Sequence, residues 1–310
     1  MDEQTMQLLK IAVPLLAILY VVISPAVATP LWNKLMFFPT RGDHEYYHIE
    51  SVNGFPRQDI AIESSHKSKL HGWFFRRPDS NKIAIINHGN GGSIIHRFHM
   101  IDALLKSGVS VLAYDYQGYG KSTGSPSVPN ICDDGEAAYN FAINRLGYTD
   151  TNIILVGESL GCAVSTRIAR NHQCAGVILQ SGFSSLPEIA REHFGVLKIY
   201  PNILFPHPML DNAANLKEIH VPILVIHGSE DPVIPRWHGE KNFAAANEPK
   251  TLCMLKGAHH NDCSEVGGPE FQKAFADFIA SLPDNSVRSA QADNAKQTSE
   301  VCAPGEAIPN

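Results

Sequence analysis

Apolar and polar positions alternate in blocks along most of this chain. Lys82–Asn87 (KIAIIN), Ser110–Asp115, Asn152–Val156, Gly176–Gln180, Val221–Ile226 and Thr251–Leu255 are short, nearly unbroken apolar runs of strand length. That is the pattern of strands buried on both faces. Between them lie stretches of helical period: Ile94–Lys106 with Ile95, Met100, Leu104 and Leu105 apolar, Asn130–Leu146, Leu160–Ala169, and Pro269–Leu282 with Phe271, Phe275 and Phe278 on one side. Asp59–Glu63 and Leu70–Phe75 read as an opening antiparallel pair. Strands and helices taking turns over short connections predict an α/β domain, a mostly parallel central sheet flanked by helices. Phe183–Leu216 breaks the rhythm. It holds four prolines (Pro187, Pro201, Pro206, Pro208) and several aromatics, and sits where a small lid can be inserted.

The two ends follow other rules. Ile11 to Trp32 contains no charged residue, just long enough for a bilayer span if Pro25 and Pro30 fall near its end. Ala26-Val27-Ala28 is a small-residue site at which a signal peptide could be cut, but the leader carries Asp2 and Glu3 against Lys10 alone. Residues 1–32 are therefore expected to be a membrane anchor, or a leader for export, with the side of the membrane left open. From Asp284 the chain is small and polar. Such composition cannot offset its ordering entropy, which predicts a disordered tail over 284–310 after a folded domain over 33–283.

Composition excludes more than it selects. Of 310 residues, 44% are hydrophobic and 18% charged, with a net charge of −6. That rules out a chain disordered throughout and a polytopic membrane protein, and with no long Lys/Arg run no nucleic-acid partner is expected. The six cysteines form no CxxC pair, so they leave the redox compartment open; Cys162 and Cys253, in apolar stretches, are expected to be buried thiols. His96 and His99 share a helical face but have no third ligand at metal spacing. No metal is expected.

The chemistry centres on Gly157-Glu158-Ser159-Leu160-Gly161, which follows an apolar strand and opens a helix. A sharp strand-to-helix turn presents the central hydroxyl above the strand ends and aims the helix N-terminus at the reacting oxygen. A serine needs a base, and the base needs a third group to hold it. Asp231 follows a strand in His227-Gly228-Ser229-Glu230-Asp231-Pro232-Val233-Ile234-Pro235, and the last strand leads to Gly257-Ala258-His259-His260-Asn261-Asp262. The order Ser, acid, His suits this fold; of the adjacent His259 and His260, one alone can reach the serine. The loop His88-Gly89-Asn90-Gly91-Gly92 supplies a second N–H, so the Asn90 and Leu160 amides are the candidate oxyanion donors. Neither GxGxxG nor GKS is present, and no cofactor is expected.

HGNGG, YDYQGYGKSTGSPS (Tyr114–Ser127), GESLG, HGSEDPVIP and GAHHND together resemble the α/β-hydrolase superfamily. More narrowly, they resemble its membrane-anchored single-domain serine hydrolases, which include protein depalmitoylases and bacterial relatives. The resemblance spans about residues 35–282. It implies an α/β-hydrolase fold with Ser159 as nucleophile, Asp231 as acid, the His directly before Asn-Asp, hence His260, as base, and Asn90 and Leu160 as oxyanion donors. The family pattern carries Arg where this chain has Gln117 and Gly where it has His259. An N-terminal apolar segment is also a family trait, which favours the anchor. The implied activity is hydrolysis of carboxylic esters or thioesters of a small-molecule or lipid-like acyl substrate. A peptidase of the same fold and a non-catalytic binding protein are the rival readings.

Overall fold

The computed structural model describes residues 2–42 and 49–283; the polar stretch expected to be a tail lies outside them. Each apolar run becomes a strand close to its expected bounds: β5 (Ile83–Asn87), β7 (Ser110–Tyr114), β8 (Ile153–Glu158), β9 (Gly176–Gln180), β10 (Ile223–Gly228) and β11 (Lys250–Leu255). These six pair in parallel in the order β11-β10-β9-β8-β5-β7. The opening strands β2 (Ser51–Val52), β3 (Phe55–Glu63) and β4 (Lys69–Phe75) extend the sheet beyond β7 in antiparallel sense. A separate two-residue ladder pairs β1 (Phe38–Pro39) with β6 (Gly91–Gly92).

Helices cover both faces. α3 (Phe98–Lys106) and α9 (Cys263–Ser281) pack on one; α4 (Val128–Asn144) and α5 (Gly161–Asn171) pack on the other. Strands such as β5 and β8 are buried along their whole length because both faces are covered. One helix, α8 (Trp237–Ala245), has no counterpart in the hydrophobic pattern, since its buried residues are His238, Gly239 and Asn242 rather than apolar ones. Cys253 is also less buried than its apolar stretch predicts, because β11 is an edge strand with room on one side.

The N-terminal apolar stretch divides in two. α1 (Glu3–Val22) has no buried residue and a mean hydropathy of 2.0. The chain then turns through Ser24-Pro25 into α2 (Thr29–Met36), with Pro30 in its first turn, where a missing N–H leaves no helical bond unmade. Between β9 and β10 the chain forms α6 (Leu186–His193), 3-10 turns at Gly195–Ile199 and Asn202–Leu204, and α7 (Asn212–Leu216).

Candidate active site

The β8–α5 junction is a sharp strand-to-helix turn. Ser159 has a φ of 51°, a conformation a non-glycine residue adopts only under constraint. The flanking glycines explain how the turn closes. A Cβ on Gly161 would lie 1.9 Å from the Asn87 carbonyl oxygen, and one on Gly157 would lie 2.5 Å from the Cys162 Cα. No other residue type fits either position.

The structure brings Ser159, His260 and Asp231 into one hydrogen-bonded run. Ser159 Oγ lies 3.2 Å from His260 Nε2, and His260 Nδ1 lies 2.7 Å from Asp231 Oδ2. A carboxylate only accepts, so Nδ1 donates to Asp231 and Nε2 is left to accept the serine proton. The other Asp231 oxygen accepts the Val233 and Ile234 N–H groups, each at 2.8 Å. Burial pushes the Asp231 carboxyl up, but the His260 imidazole and those two amides overcome it and hold the pKa below the usual value. His259 turns away: its N–H and its Nδ1 both bond Asp262, at 2.6 and 3.0 Å.

Asn90 and Leu160 both face the space above Ser159, and neither amide N–H is committed to an acceptor among the described residues. Asn90 is held on three sides. Its carbonyl accepts from Phe38 N–H at 2.9 Å and from the Tyr119 hydroxyl at 2.7 Å, and its side-chain amide donates to the Met36 carbonyl at 3.0 Å. Beneath the loop lies a buried ion pair with no signal in the motif pattern: Arg97 Nε donates to Glu158 Oε2 at 2.5 Å, and the same oxygen accepts from Gly89 N–H at 3.4 Å. Burial raises the Glu158 carboxyl, yet the Arg97 guanidinium holds its pKa below normal. His88 is pushed down to about 4, first by burial and then by Arg97, and so stays neutral.

A cavity of about 160 Å³ opens over Ser159. Leu186, Ile189, Phe194, Leu197 and Phe205, from the β9–β10 insertion, form one wall; Pro25, Trp32, Leu35 and Met36, from the N-terminal segment, form the facing one. The N-terminal residues are the contribution the sequence did not disclose, because the apolar composition of a membrane segment is the same as that of a pocket wall. Among the described residues no Asp or Glu lines the cavity, and no three His, Cys, Asp or Glu side chains cluster as metal ligands do.

Comparison with known proteins bears on the family and the fold. A protein of Mycobacterium tuberculosis, itself uncharacterised, is 31% identical over 275 residues, covering 86% of this chain and 95% of the relative. Human alpha/beta hydrolase domain-containing protein 17B is 31% identical over 255 residues, covering 76% of this chain and 86% of the human protein. The chain belongs to the α/β-hydrolase family. A family profile described as serine aminopeptidase, S33, matches residues 78–213 of this hydrolase. Its fold is also that of an esterase of Pyrococcus furiosus, with a TM-score of 0.66 at 22% identity, covering 80% of this chain and 98% of that one.

Proposed function

We propose that this hydrolase cleaves carboxylic esters or thioesters through an acyl-enzyme on Ser159. The reading rests on the hydrogen-bonded run from Ser159 through His260 to Asp231. His260 Nε2 takes the hydroxyl proton as Ser159 Oγ attacks the carbonyl carbon. Asp231 holds the imidazolium that forms, and the Asn90 and Leu160 N–H groups receive the charge on the carbonyl oxygen. His260 then gives the proton to the departing alkoxide or thiolate, and a water activated by the same imidazole releases the acid. In this reading residues 33–283 are the catalytic unit and Phe183–Leu216 is its lid.

The apolar cavity favours an acyl chain over a peptide. An aminopeptidase must pair the substrate's ammonium group with a carboxylate near the nucleophile, and among the described residues none lines this cavity. The N-terminal segment is an uncleaved anchor in this reading, because Tyr20, Ser24 and Pro25 are built into contacts with the rest of the chain that cleavage after Ala28 would remove.

Activity-based labelling tests the assignment. A fluorophosphonate probe labels the wild-type chain and not Ser159→Ala, and turnover of p-nitrophenyl and thioester acyl substrates drops roughly 10⁴-fold or more in that variant. His260→Ala matches that loss while His259→Ala retains most activity. Labelling that persists in Ser159→Ala, or a loss confined to His259→Ala, overturns these roles. Faster turnover of aminoacyl p-nitroanilides than of esters would favour the peptidase.

A further inference from the structure

We infer that the β9–β10 insertion is a second membrane contact, seating Val196, Ile199 and Ile203 in the leaflet beside α1, so that the cavity mouth opens onto lipid. The inference rests on the anchored reading of α1.

The insertion and the anchor are joined directly. The Tyr20 hydroxyl, on the last turn of α1, donates to the Ile199 carbonyl at 2.6 Å, and the Tyr20 and Tyr200 rings stack with centroids 4.7 Å apart. Ala26 N–H donates to the Leu204 carbonyl at 3.0 Å. Wherever the end of α1 meets the bilayer surface, residues 196–204 meet it too. On these short turns Val196, Ile199 and Ile203 are 66%, 58% and 74% exposed. Scattered apolar side chains need no explanation on a soluble surface. Three on an insertion bonded to the last turn of α1, a helix uncharged from Ile11 onward and with no buried residue, extend its exposed apolar surface.

Charge and ring chemistry point the same way. Residues 23–41 and 194–210 carry Lys34, Arg41 and Lys198 and no acidic residue, which suits anionic lipid headgroups. Tyr20 and Trp32 are half-buried at the end of the apolar helix, Tyr20 on its last turn and Trp32 donating its indole N–H to the Ile23 carbonyl at 3.4 Å, and such rings favour bilayer interfaces. The cavity, at about 160 Å³, is smaller than pockets that enclose whole ligands. It holds the reacting end of an acyl group, and the remainder leaves past the exposed rim residues Leu35 and Phe194. Those two residues belong to α2 and the insertion, the same elements that flank the anchor.

Site-directed spin labelling of the full chain tests this in vesicles of phosphatidylcholine with about one third phosphatidylglycerol. Nitroxides are placed at Leu16→Cys, Val196→Cys, Ile203→Cys and Lys273→Cys in a Cys253→Ser, Cys302→Ser background. Labels at 196 and 203 are expected to be about tenfold less accessible to a water-soluble nickel relaxant than the label at 273. Labels at 196 and 203 as accessible as that at 273, with 16 still shielded, overturn the inference and leave the anchor standing. A label at 16 that is open to water overturns both.

A kinetic arm separates insertion from folding. In Val196→Glu/Ile199→Glu/Ile203→Glu, hydrolysis of a soluble short-chain ester stays within about twofold, while a long-chain acyl ester in the same vesicles is cleaved about tenfold more slowly. Equal rates on the vesicle substrate overturn the inference. So does an equal loss on both substrates, which would make these residues structural.

Discussion

The two sides of the cavity are built in different ways. The side that carries Ser159, Leu160 and Asn90 is made of loops at the ends of adjoining strands, closed by backbone approaches that exclude even a methyl group. The facing side joins the N-terminal segment to an insertion more than 150 positions later, and apolar side chains and rings hold the two together. Backbone fit admits one arrangement, whereas apolar packing tolerates volume-conserving change. On the proposed function, the chemistry is therefore fixed by the strand ends, and the fit to an acyl chain is left to a surface that can vary.

Paired glycine substitutions would break this contrast if it is wrong. Gly161→Ala drives a Cβ to 1.9 Å from the Asn87 carbonyl, which displaces the turn that aims Ser159. The expected loss is roughly 100-fold in kcat/KM, with a stability loss of about 3 kcal/mol. Gly195→Ala, in the insertion, meets nothing within 4 Å, and its activity and melting temperature should match wild type. Comparable losses from the two substitutions, measured by ester turnover and thermal unfolding, would erase the distinction.

A second test concerns the place where the two sides touch. Phe38 N–H and the Met36 carbonyl hold Asn90 from the N-terminal segment. Deleting residues 2–22 removes α1 and leaves this clamp, so kcat on p-nitrophenyl acetate should stay within about threefold. Deleting residues 2–40 frees the loop that carries the proposed Asn90 donor. Removing an oxyanion donor outright costs 10²–10³, and loosening one is expected to cost about 30-fold in kcat with KM little changed. Equal kcat for the two deletions would show that the segment contributes nothing to the chemistry.

How much of this was legible in the sequence follows the same division. Unbroken apolar runs such as Ile83–Asn87 and Ile153–Glu158 announced their strands because both faces are buried, and the glycines of GESLG marked the turn because local sterics demand them. Spacing alone left His259 and His260 equivalent; their separation depends on Asp262, which binds the first and leaves the second to Asp231. The Arg97–Glu158 pair, 61 positions apart, has no periodic trace. Nor do Trp32 and Met36 as cavity residues, since hydropathy cannot say whether an apolar side chain meets lipid, core or substrate.

The smallest expected effect sharpens the account of the strand-end side, where two buried carboxylates differ in their partners. Glu158 has Arg97. Asp134 has Gln117, where the family pattern carries Arg: it accepts from Gln117 N–H and from Gln117 Nε2 at 2.8 Å each, and from the Ser64 hydroxyl at 2.6 Å. These neutral donors do not offset burial, which pushes Asp134 up to about 6. A carboxyl raised in the folded state binds its proton more tightly there than in the unfolded chain. Its stabilising contribution is complete below the ordinary value of 3.8 and is lost as pH rises through about 6. Asp134→Asn removes that dependence. Relative to the variant, the wild-type protein should lose about 2 kcal/mol of stability between about pH 4 and pH 8, read by thermal unfolding of both in detergent. Groups held low, such as Glu158 and Asp231, lose stability in the opposite direction as pH falls, and they cancel in the difference between the two proteins. A difference that does not change with pH would mean that Gln117 and Ser64 stabilise the ionised Asp134 enough to offset its burial.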